Sequence, residues 1–296
     1  MNKFRALGAA ALLMITPSVA ASETVDASYE FRWKGIRVSS AEARATVAEE
    51  RYDFSLNFRM RGIAKLFANG RSEVTARGRL GPDGMTIPEY YNSNGRWDGK
   101  DYDRTLTFDA NGNLVEMEQD WPEKWLEEYK REPVPADLQR GPDPASLAVA
   151  LMQARVPDVA TAEGVKVQVF DGDSVFEYGM KCSAETTVLE ESKHSVFSGP
   201  AHECFFEGKL VAGKRILTEK QLKKQEKERA KAEKRRKKGE EEKEEEPPRF
   251  WLAEQGEAGY LVPVRADMPT DMGRVLMYLK DFTVTPAVND TVVTSR

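Results

Sequence analysis

Apolar and polar side chains alternate along much of this chain, which is the pattern of β-strands with one buried face and one wet face. In the clearest run, the apolar residues Tyr52, Phe54, Leu56 and Phe58 occupy every second position, and the residues between them are polar. The same alternation recurs over residues 28–33, where aromatic residues take the apolar positions. The sequence therefore predicts a fold made mainly of strands whose apolar side chains share one face.

Turn-forming dipeptides separate these runs and predict short connections between successive strands. Short connections make neighbouring strands antiparallel, and a long flat sheet would leave its edges open, so the sheet is expected to curl. We therefore predict a mainly β fold with one large curved antiparallel sheet, barrel-like or spiral, together with one or two short helices and a charged helical insertion. The dipeptides that support this prediction are Asp83-Gly84, Asn94-Gly95, Asp98-Gly99, Asn111-Gly112 and Asp171-Gly172.

One short helix is predicted to begin after residue 143. Asp143 is a suitable N-cap, and Pro144 suits the first helical position. Leu147 and Leu151 then fall on one face of the helix, and Pro157 is expected to end it. Such a helix would plug the inside of the curved sheet, or it would form a lid over an apolar cavity.

A second helical segment carries three aromatic residues. Trp121, Trp125 and Tyr129 stand at positions i, i+4 and i+8, and Pro122 suits the first turn. This spacing places the three rings on one side of a short helix. We expect that side to face the core or, alternatively, to form an aromatic edge at the mouth of a cavity.

Composition adds the expectation of one packed core. The chain has 296 residues, of which 40% are hydrophobic and 31% charged, and its formal net charge is -5. These values exclude a wholly disordered chain and give no reason to expect a nucleic-acid partner. No internal stretch stays apolar over the roughly 18 residues that a membrane-spanning helix needs. Two Cys and two His are too few for a structural zinc site or an iron–sulfur cluster, so no metal or cofactor is predicted.

Residues 219–249 form a segment of very different composition. Eleven Lys or Arg stand against three Glu between residues 220 and 238, and six Glu accompany one Lys between residues 240 and 246. A segment with so few apolar residues cannot form a packed core, so we predict an exposed insertion within one β-rich domain covering residues 22–296. The insertion either has no partner or makes a weak electrostatic contact with anionic lipid head groups through residues 220–238.

The first 21 residues have the features of a cleavable signal peptide. Lys3 and Arg5 precede a short apolar stretch, which small residues follow at the expected cleavage point. We therefore predict export to an oxidising compartment, best matched by a bacterial periplasm. A lipoprotein anchor is not expected, because the first cysteine in the chain is Cys182.

Cys182 and Cys204 are the only thiols, and they lie 22 positions apart in strand-like segments. In an oxidising compartment such a pair is expected to form a structural disulfide. The alternative is a thiol–imidazole pair between Cys204 and His202, which share a strand face. No third orienting group accompanies that pair, so the disulfide is the favoured prediction.

Eight blocks of residues occur in an order that is shared with a known family. They are Tyr29–Ile36, Gly62–Phe67, Pro133–Pro135, Gly141–Ser146, Val169–Gly172, Ala201–Cys204, Trp251–Ala253 and Leu261–Arg265. Together they resemble an uncharacterised family of exported bacterial proteins, the domain of unknown function 3108. The resemblance spans roughly residues 25 to 285 and implies an exported, β-rich fold. It implies no catalytic residue, and the charged segment 219–249 departs from the family pattern.

The residues give no catalytic motif, so we expect a protein that is not an enzyme. The favoured hypothesis is a periplasmic binder of an apolar or amphipathic ligand, such as a lipid or a lipoprotein segment, held in the curved sheet. One alternative is a structural or protein-interaction component of the cell envelope with a filled interior. Another is a hydrolase whose site is not recognisable from sequence. The candidate ligand-binding residues are Tyr52, Phe54, Leu56, Phe58, Trp121 and Trp125.

Overall fold

The computed structural model describes residues 22–48, 50–66, 69–81, 84–161, 163–237, 247–270 and 273–286. The predicted signal peptide, Asp83 of one predicted turn and the acidic run at 240–246 lie outside these residues. Thirteen strands are described, and their bounds follow. They are β1 (Glu23–Trp33), β2 (Ile36–Val47), β3 (Arg51–Met60), β4 (Gly70–Leu80), β5 (Thr86–Trp97), β6 (Lys100–Phe108), β7 (Leu114–Asp120), β8 (Val165–Phe170), β9 (Val175–Leu189), β10 (Gly199–Ala212), β11 (Arg249–Gln255), β12 (Tyr260–Thr270) and β13 (Gly273–Pro286).

The helices are short, apart from one. They are α1 (Glu123–Glu128), α2 (Pro144–Gln153), α3 (Val156–Val159) and α4 (Glu219–Lys237), with 3-10 turns at Gly62–Leu66 and Ala136–Leu138. Within the described ranges no helix is both long enough and apolar enough to cross a membrane.

All thirteen strands belong to one antiparallel sheet, in the order β7-β6-β5-β4-β3-β2-β1-β13-β12-β11-β10-β9-β8. The first and last of the described strands, β1 and β13, therefore pair in the middle of the sheet, and a meander extends from them in each direction. The sheet is not closed by strand pairing, since β7 and β8 form its two edges. The predicted large antiparallel sheet with few short helices is confirmed.

The connection from β7 to α2 fills the space between the two sheet edges. Its Glu132 N–H donates to the carbonyl of Lys214 at 2.8 Å, just beyond β10. Further along, the carbonyl of Pro142 accepts from the Phe170 N–H of β8 at 3.0 Å. The second bond pairs a backbone N–H of the edge strand β8, so the connection partly covers this edge of the barrel-like sheet without a closing ladder.

A buried arginine adds a side-chain tie between the same edges. Arg104 on β6 donates to the Asp171 carbonyl in the β8–β9 turn at 2.8 Å and forms an ion pair with Asp173. The same guanidinium donates to Gln119 of β7 and lies 4.3 Å from the ring centroid of Trp121. All its polar neighbours lie near the gap, so this residue links β6 and β7 to the far end of the sheet.

Helix α2 lies against the concave side of the curled sheet. It packs against β3, β4 and β5 on one side and against β8 and β12 on the other. Asp143 caps it as predicted, accepting hydrogen bonds from the backbone N–H groups of Ala145 and Ser146 at 2.9 Å each. The helix therefore connects the two halves of the sheet through the interior.

One detail of the predicted helix was wrong. The helix ends at Gln153, and Pro157 lies in α3, because a proline near the start of a second helix needs no N–H partner. The fully buried residues of α2 are Ala145, Ser146, Val149 and Ala150, whereas Leu147 and Leu151 are only half-buried. The small side chains of these buried residues let α2 approach the sheet closely, and Leu147 and Leu151 lie at the sides of the contact between helix and sheet.

The turn predictions were mostly confirmed. Asn111-Gly112 connects β6 to β7, and Asp171-Gly172 connects β8 to β9. Asp98 and Gly99 both have positive φ, 49° and 82°, as a two-residue hairpin turn requires. The turn predicted at Asn94-Gly95 was wrong, because both residues lie inside β5. Gly95 is needed there for close packing, since a Cβ atom would stand 2.3 Å from the Arg71 carbonyl oxygen of β4.

The disulfide prediction was confirmed. Cys182 of β9 and Cys204 of β10 are directly opposite in the strand register and are joined by a disulfide bond. The alternative pairing with His202 does not occur, and the Nδ1 atom of that ring lies 2.9 Å from the Ser183 carbonyl oxygen. The bond therefore fastens the β9–β10 hairpin.

Candidate functional site

An apolar cavity of about 290 Å³ lies between the concave side of the sheet and helix α2. Three walls enclose it: one from β1 to β3, one from β10 to β12, and one from α2. No charged side chain lines it. The lining residues are Val25, Ala27, Tyr29, Ala43, Ala45, Phe54, Leu56, Ala148, Leu151, Met152, Phe206, Phe250, Leu252, Leu261, Val262 and Pro263.

Small side chains on two central strands explain why this space is hollow. In the antiparallel register, Ala43 of β2 pairs with Ala27 of β1 on one side and with Leu56 of β3 on the other. Ala45 similarly stands between Val25 and Phe54. Methyl side chains at these positions leave a depression where bulkier β-sheet residues would fill the interior.

The helix wall leaves the same space unfilled. Ala148, Leu151 and Met152 face the cavity from α2, and Ala148 remains exposed although it lies against the sheet. The opposite wall, from β10 to β12, is closely packed, because the rings of Phe206 and Phe250 meet edge to face with 4.7 Å between their centroids. The cavity is therefore bounded by packed aromatic rings on the strand side, whereas the helix side leaves space at the small side chain of Ala148.

A polar cluster beside the cavity holds α2 in place. Ser146 of α2 contacts the Tyr52 hydroxyl at 2.5 Å and donates to the Asp143 carboxylate. Burial raises the pKa of Asp143 to about 6, against the opposing effect of its hydrogen bonds. Both Ser146 and Asp143 are fully buried, so this cluster serves to fix the helix to β3.

The structure separates the six predicted ligand-binding residues into three places. Phe54 and Leu56 line the cavity. Tyr52 lies in the adjoining core next to α2, and Phe58 packs between Phe31 and Trp97 at the other end of β3. All four point to the same face of β3, as the alternation predicts, because the residues between them face outwards.

Trp121 and Trp125 lie in a separate aromatic cluster around α1. Their ring centroids are 6.4 Å apart, and each is 6.4 Å from the ring of Tyr129. The predicted arrangement of three rings on one side of a short helix is therefore present. Neither tryptophan lines the apolar cavity, since their neighbours are Arg104 and Tyr102 near the sheet edge.

Sequence reasoning missed the residues that make the cavity. Ala41, Ala43 and Ala45 alternate with Glu42 and Arg44, so the same period-two signal was available in small residues. The residues of β10 to β12 that line the opposite wall of the cavity are distant in sequence from these alanines, and no local sequence pattern predicts that the two walls face each other. For metals, no group of three or more His, Cys, Asp or Glu side chains stands together in the described ranges.

A family model described as "Protein of unknown function (DUF3108)" matches residues 28–280 of this chain. One similar solved structure is described as a β-barrel-like protein of domain of unknown function DUF1849 from Brucella abortus. It is 10% identical, has a TM-score of 0.44, and the alignment covers 91% of this chain and 99% of that chain. No curated protein matches the sequence.

Proposed function

The chain belongs to the DUF3108 family of proteins of unknown function, and we propose that it is an exported, non-enzymatic protein that binds an apolar or amphipathic ligand. The observation that supports this proposal is the cavity between the sheet and α2, whose walls are almost wholly apolar. Folded proteins fill their interiors closely, so a hollow of this size bounded by alanines on two strands and a helix is suited to a ligand.

The cavity dimensions favour a hydrocarbon chain. At protein packing density a methylene group occupies about 27 Å³. The volume of about 290 Å³ therefore matches a chain of about ten carbons by this packing density. An acyl chain of a lipid or of a lipoprotein segment has this size and chemistry, and transferring each methylene from water contributes about 0.8 kcal/mol.

Export is supported by the disulfide and by the N-terminal pattern. The Cys182–Cys204 bond is typical of proteins in oxidising compartments. Residues 1–21, predicted as a signal peptide, lie outside the described part of the chain. We propose the periplasm as the compartment, where a carrier with an apolar pocket would shield a hydrocarbon chain from water.

Native mass spectrometry of protein purified without detergent tests this proposal. We expect the wild-type protein to retain a co-purified acyl species. Ala43→Phe should remove it, because the larger ring occupies the depression between β1 and β3. Ala184→Phe is the matched control, since Ala184 is exposed on β9 and is not one of the lining residues. Wild-type protein that is always empty, or an Ala43→Phe variant that retains the species, would count against the proposal.

A second candidate function is an interaction role in the cell envelope, and helix α4 favours it. All described side chains of α4 from residue 222 onwards are exposed, and its base is held by the Arg215 guanidinium donating to the Glu128 carbonyl at 2.7 Å. Apolar side chains beside that base are also exposed: Leu126, Ile216 and Leu222 have 46%, 42% and 44% of their surface accessible. We propose an anionic lipid surface or an envelope protein as the contact.

Removal of the arm tests that role. Deleting residues 219–248, which leaves β11 intact, and bridging the gap with a short glycine–serine linker should abolish partner capture or binding to anionic vesicles. The melting temperature should change little, because the arm adds no core contacts. Unchanged capture and unchanged vesicle binding after the deletion would exclude the arm as the contact.

A further inference from the structure

Tyr29 is the only one of the sixteen lining residues whose side chain carries a polar group. It lies on the concave face of β1, between Leu279 of β13 and Ala41 of β2 in the strand register. The side chain is deeply buried, with 9% of its surface accessible. A phenol in this position places one hydrogen-bonding group in a cavity that is otherwise hydrocarbon.

Among the described residues, the Tyr29 hydroxyl has no hydrogen-bond partner, whereas the hydroxyls of two other buried tyrosines, Tyr52 and Tyr260, do. The Tyr52 hydroxyl contacts Ser146 Oγ at 2.5 Å, and the Tyr260 hydroxyl donates to Glu23 at 2.6 Å. Buried polar groups in proteins are usually paired, because leaving one unpaired costs about 1–3 kcal/mol. The Tyr29 oxygen is not among the fully buried unpaired atoms, so a bound molecule that displaces water from it would have to supply an acceptor to avoid this cost.

The surroundings of Tyr29 also define which acceptor fits. Burial alone raises the pKa of Tyr29 far above its usual value, and no nearby charge contributes to the shift. The phenol therefore stays protonated at physiological pH and acts as a donor. A carboxylate buried beside it would lack a compensating cation, because no Lys, Arg or His lines the cavity.

We infer that the ligand of this cavity is an acyl chain joined through an uncharged ester or amide, whose carbonyl oxygen accepts a hydrogen bond from the Tyr29 hydroxyl. This inference rests on the proposed ligand-binding function and adds the ligand's polar group to it. Ester-linked chains occur in glycerolipids and amide-linked chains in acylated peptides. Both present the same chemistry to Tyr29, a neutral carbonyl at the end of a hydrocarbon chain.

Calorimetric titration with four probes that share a chain of ten carbons tests the inference. The probes are decane, methyl decanoate, N-methyldecanamide and sodium decanoate at pH 8, each titrated into wild-type protein and into Tyr29→Phe. We expect the ester and the amide to bind wild type more tightly than decanoate does. The Tyr29→Phe variant should lose roughly five-fold in affinity for the ester and the amide and keep its affinity for decane.

The matched control is Tyr91→Phe, because Tyr91 is equally buried but does not line the cavity. It should leave all four affinities unchanged. Equal effects of Tyr29→Phe on decane and on the ester would overturn the inference, as would decanoate binding as tightly as its ester. If no probe binds wild type, the proposed function fails and the inference fails with it. If decane binds and the ester and the amide do not, the proposed binding of apolar ligands is still supported, but the proposed role of Tyr29 is overturned.

The two sources of the chain are then separated by a competition between a diacyl glycerolipid and an N-acylated peptide of matched chain length. Each is used to displace the bound methyl ester from wild-type protein. Displacement by the lipid only assigns an ester ligand, and displacement by the peptide only assigns an amide ligand. Displacement by neither, with the free ester still bound, would overturn the assignment to acyl groups of larger molecules.

Discussion

Replacing Ala148 with leucine should stabilise the protein, and the sign of the change tests whether the cavity is hollow. Leucine adds three carbon atoms, which fill about 80 Å³ at interior packing density. The space available is about 290 Å³, and Ala148 faces it while remaining exposed. The added side chain therefore meets empty volume and not packed atoms.

The size of the effect follows from the cost of empty volume in protein cores. Filling about 80 Å³ at about 24 cal/mol per Å³ is worth about 2 kcal/mol. Fixing the leucine side chain costs about 0.5–1 kcal/mol in lost rotamer freedom. Leucine is also slightly weaker than alanine as a helix former, by about 0.2 kcal/mol. The expected net gain in the free energy of unfolding is about 1 kcal/mol, or about 2–4 °C in melting temperature.

Urea denaturation of the ligand-free protein measures this change. The matched control is Ala230→Leu, because Ala230 is an exposed alanine in α4 and reports helix propensity alone. The control should lose a few tenths of a kcal/mol. A loss of 1 kcal/mol or more in Ala148→Leu would mean that the interior is already filled, since overpacking a dense core typically costs about 1–3 kcal/mol.

Three further substitutions address the surroundings of the cavity. Burial raises the pKa of Asp143 to about 6, so the folded state binds this proton more tightly than the unfolded state does. In urea titrations, the stability of the wild type relative to Asp143→Asn should therefore fall by on the order of 2 kcal/mol as the pH rises from 4 to 7, and a difference that does not depend on pH would contradict the assignment. Replacing Arg104 with methionine should lower the free energy of unfolding by about 3 kcal/mol, because Asp173 loses its partner in a largely buried ion pair. If chemical denaturation gives equal stability for the variant and the wild type, Arg104 does not hold the sheet edges together. Tyr52→Phe should lower the free energy of unfolding by about 1 kcal/mol, whereas Tyr29→Phe should leave it unchanged in the ligand-free protein, since only Tyr52→Phe removes a hydrogen bond. Equal melting temperatures of the two variants in differential scanning calorimetry would refute this.

The sheet was predictable because its signals are local. Period-two alternation in β3 indicated both a strand and its inward face, and the turn dipeptides at 111–112 and 171–172 indicated antiparallel neighbours. Asn94-Gly95 has the same composition as a turn, yet it lies within β5 because β4 approaches too closely for a side chain. A dipeptide signal therefore cannot separate a turn from a site of close strand packing.

The cavity was less predictable, because it depends on contacts between distant parts of the chain. The β1–β13 pairing joins residues more than two hundred positions apart, and it brings β1 to β3 opposite β10 to β12 around α2. Phe54 and Leu56 were identified from their own strand, whereas Ala43 and Ala148 matter through what they leave empty. Small residues carry little signal until their neighbours are known.

The tie between the sheet edges was also beyond local reasoning. Arg104 occupies an inward position of β6, where alternation alone predicts an apolar residue. Its partners come from the β8–β9 turn, so its charge is satisfied only after the sheet has curled. An inward charge in an otherwise apolar strand is thus a signal of a tertiary contact, although it does not name the partner.

The most direct test of the central claim is to locate a bound chain by NMR. Protein with ¹³C-labelled alanine and methionine methyl groups would be titrated with methyl decanoate. The account predicts intermolecular nuclear Overhauser effects from the hydrocarbon chain to the methyl groups of Ala43, Ala148 and Met152, which line the cavity from both sides. Contacts confined to methyl groups outside this set, such as those of Ala184 or Ala230, would contradict a ligand site between the sheet and α2.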